Sequence, residues 1–385
     1  MKIAKIECSL LHYPLPAPLH PSWAPGRTFQ STSCTLIKIT TDDGLTGVGA
    51  APDTGVISMT TIADMVAPYI IGKEIFSIEQ ISPILRNASH DGSYPWGVEI
   101  ALWDLIGKCC GQPVYHLWGK YQDRLPVYAS MAEIQPADVE LKRIADLRAI
   151  GFKAFKLRLR RPDVSEDIAF VKHIRRELGS DVTLMVDCNQ AHVMPSPGPH
   201  NVWSLETALK VIHEMHTLDI TWVEEPLHRY NYQQLAELRL RSDVPIAGGE
   251  LNQGLHEYRQ IIDQNCYDII QADAAFSEGV FQLRKVAAYA ELHYKSFIPH
   301  NWSNGIGLLA NLHLAGSIPN CPWFEYPIDP PAWTIEARDF MLRKSVQIEA
   351  DGTIRVPDQP GFGIEIDDEA VRKYSVKNWS SDNNG

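Results

Sequence analysis

No stretch of the 385-residue chain reaches the roughly 18 consecutive apolar residues of a membrane span. The opening MKIAKIECSLLHYPLP alternates instead of forming the apolar centre of a signal peptide, so a strand is expected there. Positive charge is scarce: 35 Lys and Arg face 47 Asp and Glu, a net charge of −12. That excludes nucleic acid and anionic membrane surfaces as expected partners. The seven cysteines are odd in number and show neither a CxxC pair nor a zinc-finger spacing. Reduced, mostly buried thiols of a cytoplasmic protein are the expectation. Neither GxGxxG nor GxxxxGKS/T occurs, which removes the phosphate turn of nucleotide-binding open sheets. Low-complexity tracts are absent too. With 45% hydrophobic residues the chain can fill one large core and a second, smaller unit.

The first section reads as α+β. KIAKIECSLL is a strand, and TLIKITTDDGLTGVGAA is a hairpin turning at Asp42-Asp43-Gly44. Helical patterns follow, ending with GVEIALWDLIGKCC, which Gly111 and Pro113 stop. Between strand and hairpin, LHPSWAPGRTFQSTS is expected to be a loop carrying His20, Trp23 and Arg27, of the kind that covers or lines a binding site.

From about Leu125 short apolar runs alternate with amphipathic helices, the pattern of a parallel sheet with helices outside. The apolar runs end in ionisable groups. KAFKLRL carries Lys156 and Arg158, TLMVDCN Asp187 and Asn189, ITWVEEP Glu224 and Glu225. VPIAGGE ends at Glu250, YDIIQAD at Asp273, KSFIPHN carries His300, and CPWFEYP carries Glu325. One strand-helix unit of a (β/α)8 barrel averages roughly 30 residues, which suits this spacing, and a closed barrel gathers all its carboxyl strand ends on one rim. The charges at the end of ITWVEEP are therefore expected to face a shared pocket.

Asp187, Glu224 and Glu250 would repel one another in a low-dielectric mouth unless a cation lay between them. Oxygen ligands from separate strands suit a hard divalent ion, magnesium first. Unrelated carboxylates capping nearby helices would not account for their register with one basic strand and one histidine strand. Lys156 and Arg158, two apart on a strand, point to the same face. Asp273 beside His300 is the pair that orients an imidazole and raises its basicity. Together these groups are suited to removing a proton next to a carboxylate.

At this point the chain resembles the enolase superfamily, in the mandelate racemase group of the mandelate racemase/muconate lactonizing enzyme family. Residues 97–119, GVEIALWDLIGKCCGQPVYHLWG, look like the family signature of the N-terminal capping domain. FKLR, VDCNQ, WVEEP, GGE, QAD, IPHNWSNG and FEYP match its barrel motifs in order, and PDQPGFGIEID its closing segment. The resemblance implies an α/β fold: a (β/α)7β modified TIM barrel over residues 126–335, a capping domain over 1–125, and a segment over 336–385 returning to the cap. It implies one Mg²⁺ per subunit on Asp187, Glu224 and Glu250, and His300 with Asp273 as general base and then acid. Glu325 would hydrogen-bond the substrate carboxylate or enolate, and Asn189 would contact substrate. Lys156 matches the first Lys of the family's K-x-K pair. The loop with His20, Trp23 and Arg27 would cap the pocket, and the protein would be a homo-oligomer acting on a small carboxylate. A Lys or His base working with Mg²⁺ on an ene-diolate is the general pattern of such sites.

One departure matters. The second Lys of the pair is Arg158 here, and a guanidinium is a poor base, so racemisation between two opposed bases is disfavoured. Lys156 could replace that base only if Arg158 and burial lowered its pKa. A Lys-based muconate or dipeptide-epimerase branch would not carry His300. Three readings follow: a sugar-acid dehydratase giving a 2-keto-3-deoxy acid; a sugar-lactone or anhydro-sugar-acid cycloisomerase; and a binding barrel without turnover. The polar pocket groups favour a polyhydroxy acid over an aromatic one.

Overall fold

Two sheets carry the fold in the computed structural model, which describes residues 1–52, 56–191, 197–198 and 202–383. Strands β1 (Ile3–Leu19), β2 (Phe29–Thr41) and β3 (Thr46–Ala51) pair antiparallel, with the expected turn between β2 and β3. β1 is longer than its apolar pattern indicates. It runs on through Pro14, Pro16 and Pro18, which occupy alternate exposed positions where a missing N–H costs little. The loop therefore shrinks to residues 20–28.

The barrel strands are β4 (Arg124–Ser130), β5 (Ala154–Arg158), β6 (Thr183–Asp187), β7 (Ile220–Glu224), β8 (Ile246–Gly248), β9 (Ile269–Ile270), β10 (Ser296–Phe297) and β11 (Phe324–Pro327). They pair in the order β10-β9-β8-β7-β6-β5-β4-β11, all parallel. A helix follows each of the first seven, from Ala137–Ala149 to Gly305–Gly316, which gives the (β/α)7β arrangement. Asn301, just past β10, bridges to β11: its backbone N–H donates to Glu325 Oε2 (2.8 Å) and its side-chain amide to the Glu325 carbonyl (2.9 Å). The helix Gly305–Gly316 is buried throughout and apolar except for Asn311 and His313, as suits a helix enclosed by protein.

The closing segment divides. β12 (Thr353–Arg355) pairs with β4 at the barrel, whereas β13 (Ser375–Ser380) crosses back to pair with β1. Asp104, on the cap helix Trp96–Cys110, ties three segments together. Its carboxylate accepts from Val48 N (2.9 Å), Lys108 Nζ (2.6 Å) and Phe362 N (3.0 Å). That helix lies directly on β3 because both surfaces carry glycine: a Cβ on Gly49 would come within 2.0 Å of the Gly97 carbonyl.

Candidate active site

Strand register brings three of the expected groups side by side. Arg158 of β5 pairs with Asp187 of β6, which pairs with Glu224 of β7. Glu250 lies two residues past β8, and Asp273 and His300 three residues past β9 and β10. Apolar residues drive the strands inward, and the chain turns only after depositing its charged residue at the rim. Asn189 and Glu225 make their turns with φ of 46° each, a left-handed conformation uncommon for residues with a side chain.

Asp187, Glu224, Glu250, Asp273 and Glu325 are each matched to a basic side chain. Lys156 Nζ, fully buried, donates to Glu224 Oε1 (2.8 Å) and Oε2 (2.9 Å) and to Glu325 Oε1 (2.7 Å). Arg158 Nη1 binds Asp187 Oδ2, and its Nε donates to the Met131 carbonyl (2.5 Å). His300 donates or accepts at both ring nitrogens: Nδ1 lies 2.9 Å from Asp273 Oδ2 and Nε2 lies 3.3 Å from Glu250 Oε2. Asn189 donates from N and Nδ2 to Asp187 (2.8 and 3.1 Å) and accepts from Ser22 Oγ (2.7 Å).

Electrostatics follows from burial plus crowding. Burial pushes Glu224 up to about 8, with Lys156 opposing and Asp187, Glu325 and Glu250 adding. Glu250 rises for the same first reason, His300 opposing. Burial would also raise Glu325, but the Lys156 and His300 charges pull it down to about 2. For His300, burial alone would lower the imidazole; Glu250, Glu325 and Asp273 override it and hold it up to about 10. Lys156 behaves likewise: burial opposes, yet Glu224 and Glu325 keep it above the ordinary lysine range. The low-pKa lysine that would substitute for a second base is therefore the reverse of what this environment produces.

Asp187 is near enough to raise both Glu224 and Glu250, and Glu250 to raise Glu224, but among the described residues the three expected ligands do not close into a preformed cage. Lys156, Arg158 and His300 hold them apart in ion pairs. The donor set nevertheless fits a hard dication. It is all oxygen, it comes from three neighbouring strand ends, and further buried oxygens border it: Gln271 Oε1 and both carboxylate oxygens of Glu225 have no hydrogen-bond partner among the described residues.

The cavity above these groups is lined by Arg158, Asn189, Glu250 and His300 on one side and by Trp23, Leu251, Phe276 and Trp302 on the other. Its wall is more aromatic than the strand-end residues alone suggest. Arg158 lies against both Trp23 (5.4 Å) and Trp302 (6.0 Å). Arg27 reaches an adjoining outer cavity that shares Trp23, Phe276 and Trp302. His20 lines neither cavity: its side chain is 62% exposed and pairs with Glu133 at 3.3 Å.

Several groups escaped the sequence reading. Gln271 donates to Glu224 (2.8 Å) and stands two residues before Asp273, so strand alternation could have found it. Asn311 binds both Asp273 Oδ1 and the His300 carbonyl, each at 3.0 Å, from inside an apolar helix where nothing distinguishes it. Trp302 donates to Ser130 Oγ (2.9 Å) from the PHNWSNG turn.

The deciding match is to two family models: "Enolase C-terminal domain-like" over residues 140–370 and "Mandelate racemase / muconate lactonizing enzyme, N-terminal domain" over 6–119. The chain belongs to the enolase superfamily. Within this superfamily it is 31% identical over 285 residues to the arabinonate dehydratase of Saccharolobus solfataricus, covering 73% of this chain and 72% of that one. It is 26% identical over 397 residues to the D-galactarolactone cycloisomerase of Agrobacterium fabrum, covering 98% and 99%. The superfamily fold is shared with a crystal structure of L-talarate dehydratase from Polaromonas sp. JS666 complexed with Mg and L-glucarate. That match has a TM-score of 0.85 and 25% identity and covers 98% of each chain.

Proposed function

We propose that this enolase-superfamily enzyme removes the proton α to the carboxylate of a sugar acid and eliminates water to give a 2-keto-3-deoxy acid. The observation that carries the reading is His300, held by Asp273 at 2.9 Å and lining one cavity with Arg158. Asp187, Glu224 and Glu250 would hold one magnesium ion, which supplies electrophilic stabilisation of carboxylate oxygens. The resemblance to dehydratases and to a Mg-bound neighbour supports this assignment.

In this mechanism His300 Nε2 accepts the α-proton while Asp273 steadies the ring through Nδ1. Glu250, which raises His300 and so favours its protonated form, is also a metal ligand in this reading; a cation there would offset the Glu250 charge and favour the neutral imidazole that a base requires. Lys156 and Arg158, both kept charged, stabilise the negative charge left on the substrate carboxylate as the ene-diolate forms. The proton on His300 passes to the departing 3-hydroxyl, the C–O bond breaks, water leaves, and the enol tautomerises to the ketone. Residues 1–125 with 336–385 would hold Trp23 and Arg27 over the barrel of 126–335. A cytoplasmic homo-oligomer completes the reading; the acidic charge supports the absence of a nucleic-acid partner.

A second reading, sugar-lactone or anhydro-sugar-acid cycloisomerase, keeps the enolate step and expels a ring oxygen. The full-length match to the Agrobacterium cycloisomerase favours it. Incubation with Mg²⁺ and a panel of aldonates, aldarates and their lactones separates the two. A keto-acid signal from open-chain acids with loss of water supports the dehydratase; turnover confined to lactones or anhydro acids supports the second.

A further inference from the structure

The segment between β9 and the helix Val280–Leu292 carries Asp273, the partner of His300, and Phe276, a wall of the cavity. Its own hydrogen bonds fold it tightly: Phe276 N and Ser277 N donate to the Asp273 carbonyl (3.1 and 2.8 Å), and Asp273 N donates to Ser277 Oγ (3.0 Å). Three contacts from the cap then fix it from outside. Arg86 donates from Nε and Nη2 to Glu278 Oε1 (2.9 and 2.7 Å). Tyr94 meets Phe276 edge-on at 5.8 Å, and Phe276 in turn meets His300 at 6.1 Å. Glu99, wholly buried, accepts from Phe281 N at the first turn of the following helix (2.8 Å) and from Ser82 Oγ (3.2 Å). Gly279 is the residue that admits this carboxylate: a Cβ there would lie 2.3 Å from it.

We infer that Arg86 and Tyr94 of the cap are positioning residues for the His300–Asp273 pair, acting through Glu278 and Phe276. The inference rests on the proposed role of that pair in proton abstraction. Its physical basis is asymmetry of burial. The Arg86 side chain is 41% exposed and the Glu278 side chain 1%, so removing Arg86 leaves a buried carboxylate without its counter-ion. Such a group drives local rearrangement toward water. Here the rearrangement begins five residues from Asp273. A displacement of about 1 Å at reacting groups is enough to cost on the order of 100-fold in rate.

The test compares Arg86→Ala, Arg86→Lys and Tyr94→Leu with Lys285→Ala, which cuts a different cap–barrel ion pair, Lys285–Glu79 (2.8 Å). Two readouts are taken on the full chain: amide hydrogen exchange of residues 273–281, and kcat and KM on whichever acid the substrate panel turns over. Expected are lost protection of 273–281 and kcat lowered about 10- to 100-fold at near-constant KM in Arg86→Ala and Tyr94→Leu. Arg86→Lys recovers most of both, and Lys285→Ala changes neither. Unchanged protection in Arg86→Ala, or equal losses in Lys285→Ala, overturns the inference. Absence of turnover in the unmodified protein would overturn the proton-abstraction reading instead, while the exchange readout still decides whether the cap holds the segment.

Discussion

The guanidinium of Arg158 rests on the carboxylate of Asp187, its in-register neighbour on the next strand. The side chain that departs from the family's K-x-K pair thus sits on a proposed metal ligand. Removing it should pull two properties in opposite directions. In Arg158→Ala, Asp187 loses a resident cation, so Mg²⁺ affinity measured by calorimetry should rise. Catalysis should fall about 100- to 1000-fold, the usual cost of losing one preorganised donor to a developing oxyanion. Weaker Mg²⁺ binding in the variant would show that Arg158 organises the carboxylates and does not compete for them.

Asp273 touches His300 and no other proposed catalytic group. Asp273→Asn keeps the shape and removes the charge that steadies the imidazolium, so α-proton removal should slow by about 100- to 10,000-fold, the range for general acid–base catalysis. Steady-state kinetics with an unchanged Mg²⁺ titration checks it; an unaltered rate would remove Asp273 from the mechanism.

Lys156 stands between Glu224 and Glu325 with no exposure. Lys156→Met strands two buried carboxylates and should destabilise the fold by about 3–5 kcal/mol. Denaturant unfolding measures it, and a loss below about 1 kcal/mol would mean that the carboxylates find other partners.

His313 gives a pH dependence remote from the site. Burial holds it down to about 3 against the opposing Phe362 backbone, and its Nδ1 accepts from Tyr115 N (3.3 Å). The folded protein keeps it neutral while the unfolded chain protonates it below about 6.5. Its contribution is therefore intact above about pH 6.5 and is lost as pH falls toward 3, with a slope of up to about 1.4 kcal/mol per pH unit. His313→Gln should flatten the acid limb of an unfolding-free-energy profile; an identical slope would assign that limb to other groups.

The strand ends were legible because burial leaves a plain mark. Apolar runs that finish in Asp187, Glu224, Asp273 or His300 have few places to put the charge except a shared rim. The partners of those charges were not legible. That Lys156 would choose Glu224 and Glu325, or that His300 would reach Glu250, depends on side-chain reach across strands distant in sequence. His20 shows the limit on loops: it shares a loop with Trp23, yet it lies outside the cavity because β1 continues to Leu19 and leaves His20 at the strand's exposed end. Prolines 14, 16 and 18 hid that continuation. Asn311 shows the limit on helices, since a polar residue facing inward from an apolar helix has no periodic signature.

Deuterium incorporation at the α-carbon of candidate sugar acids, followed by NMR in D₂O with Mg²⁺, tests the central claim most directly. Exchange or elimination with at least one acid, abolished by chelation and by His300→Asn, is the predicted result. Exchange that persists undiminished in His300→Asn, or none with any acid in the unmodified protein, would contradict it.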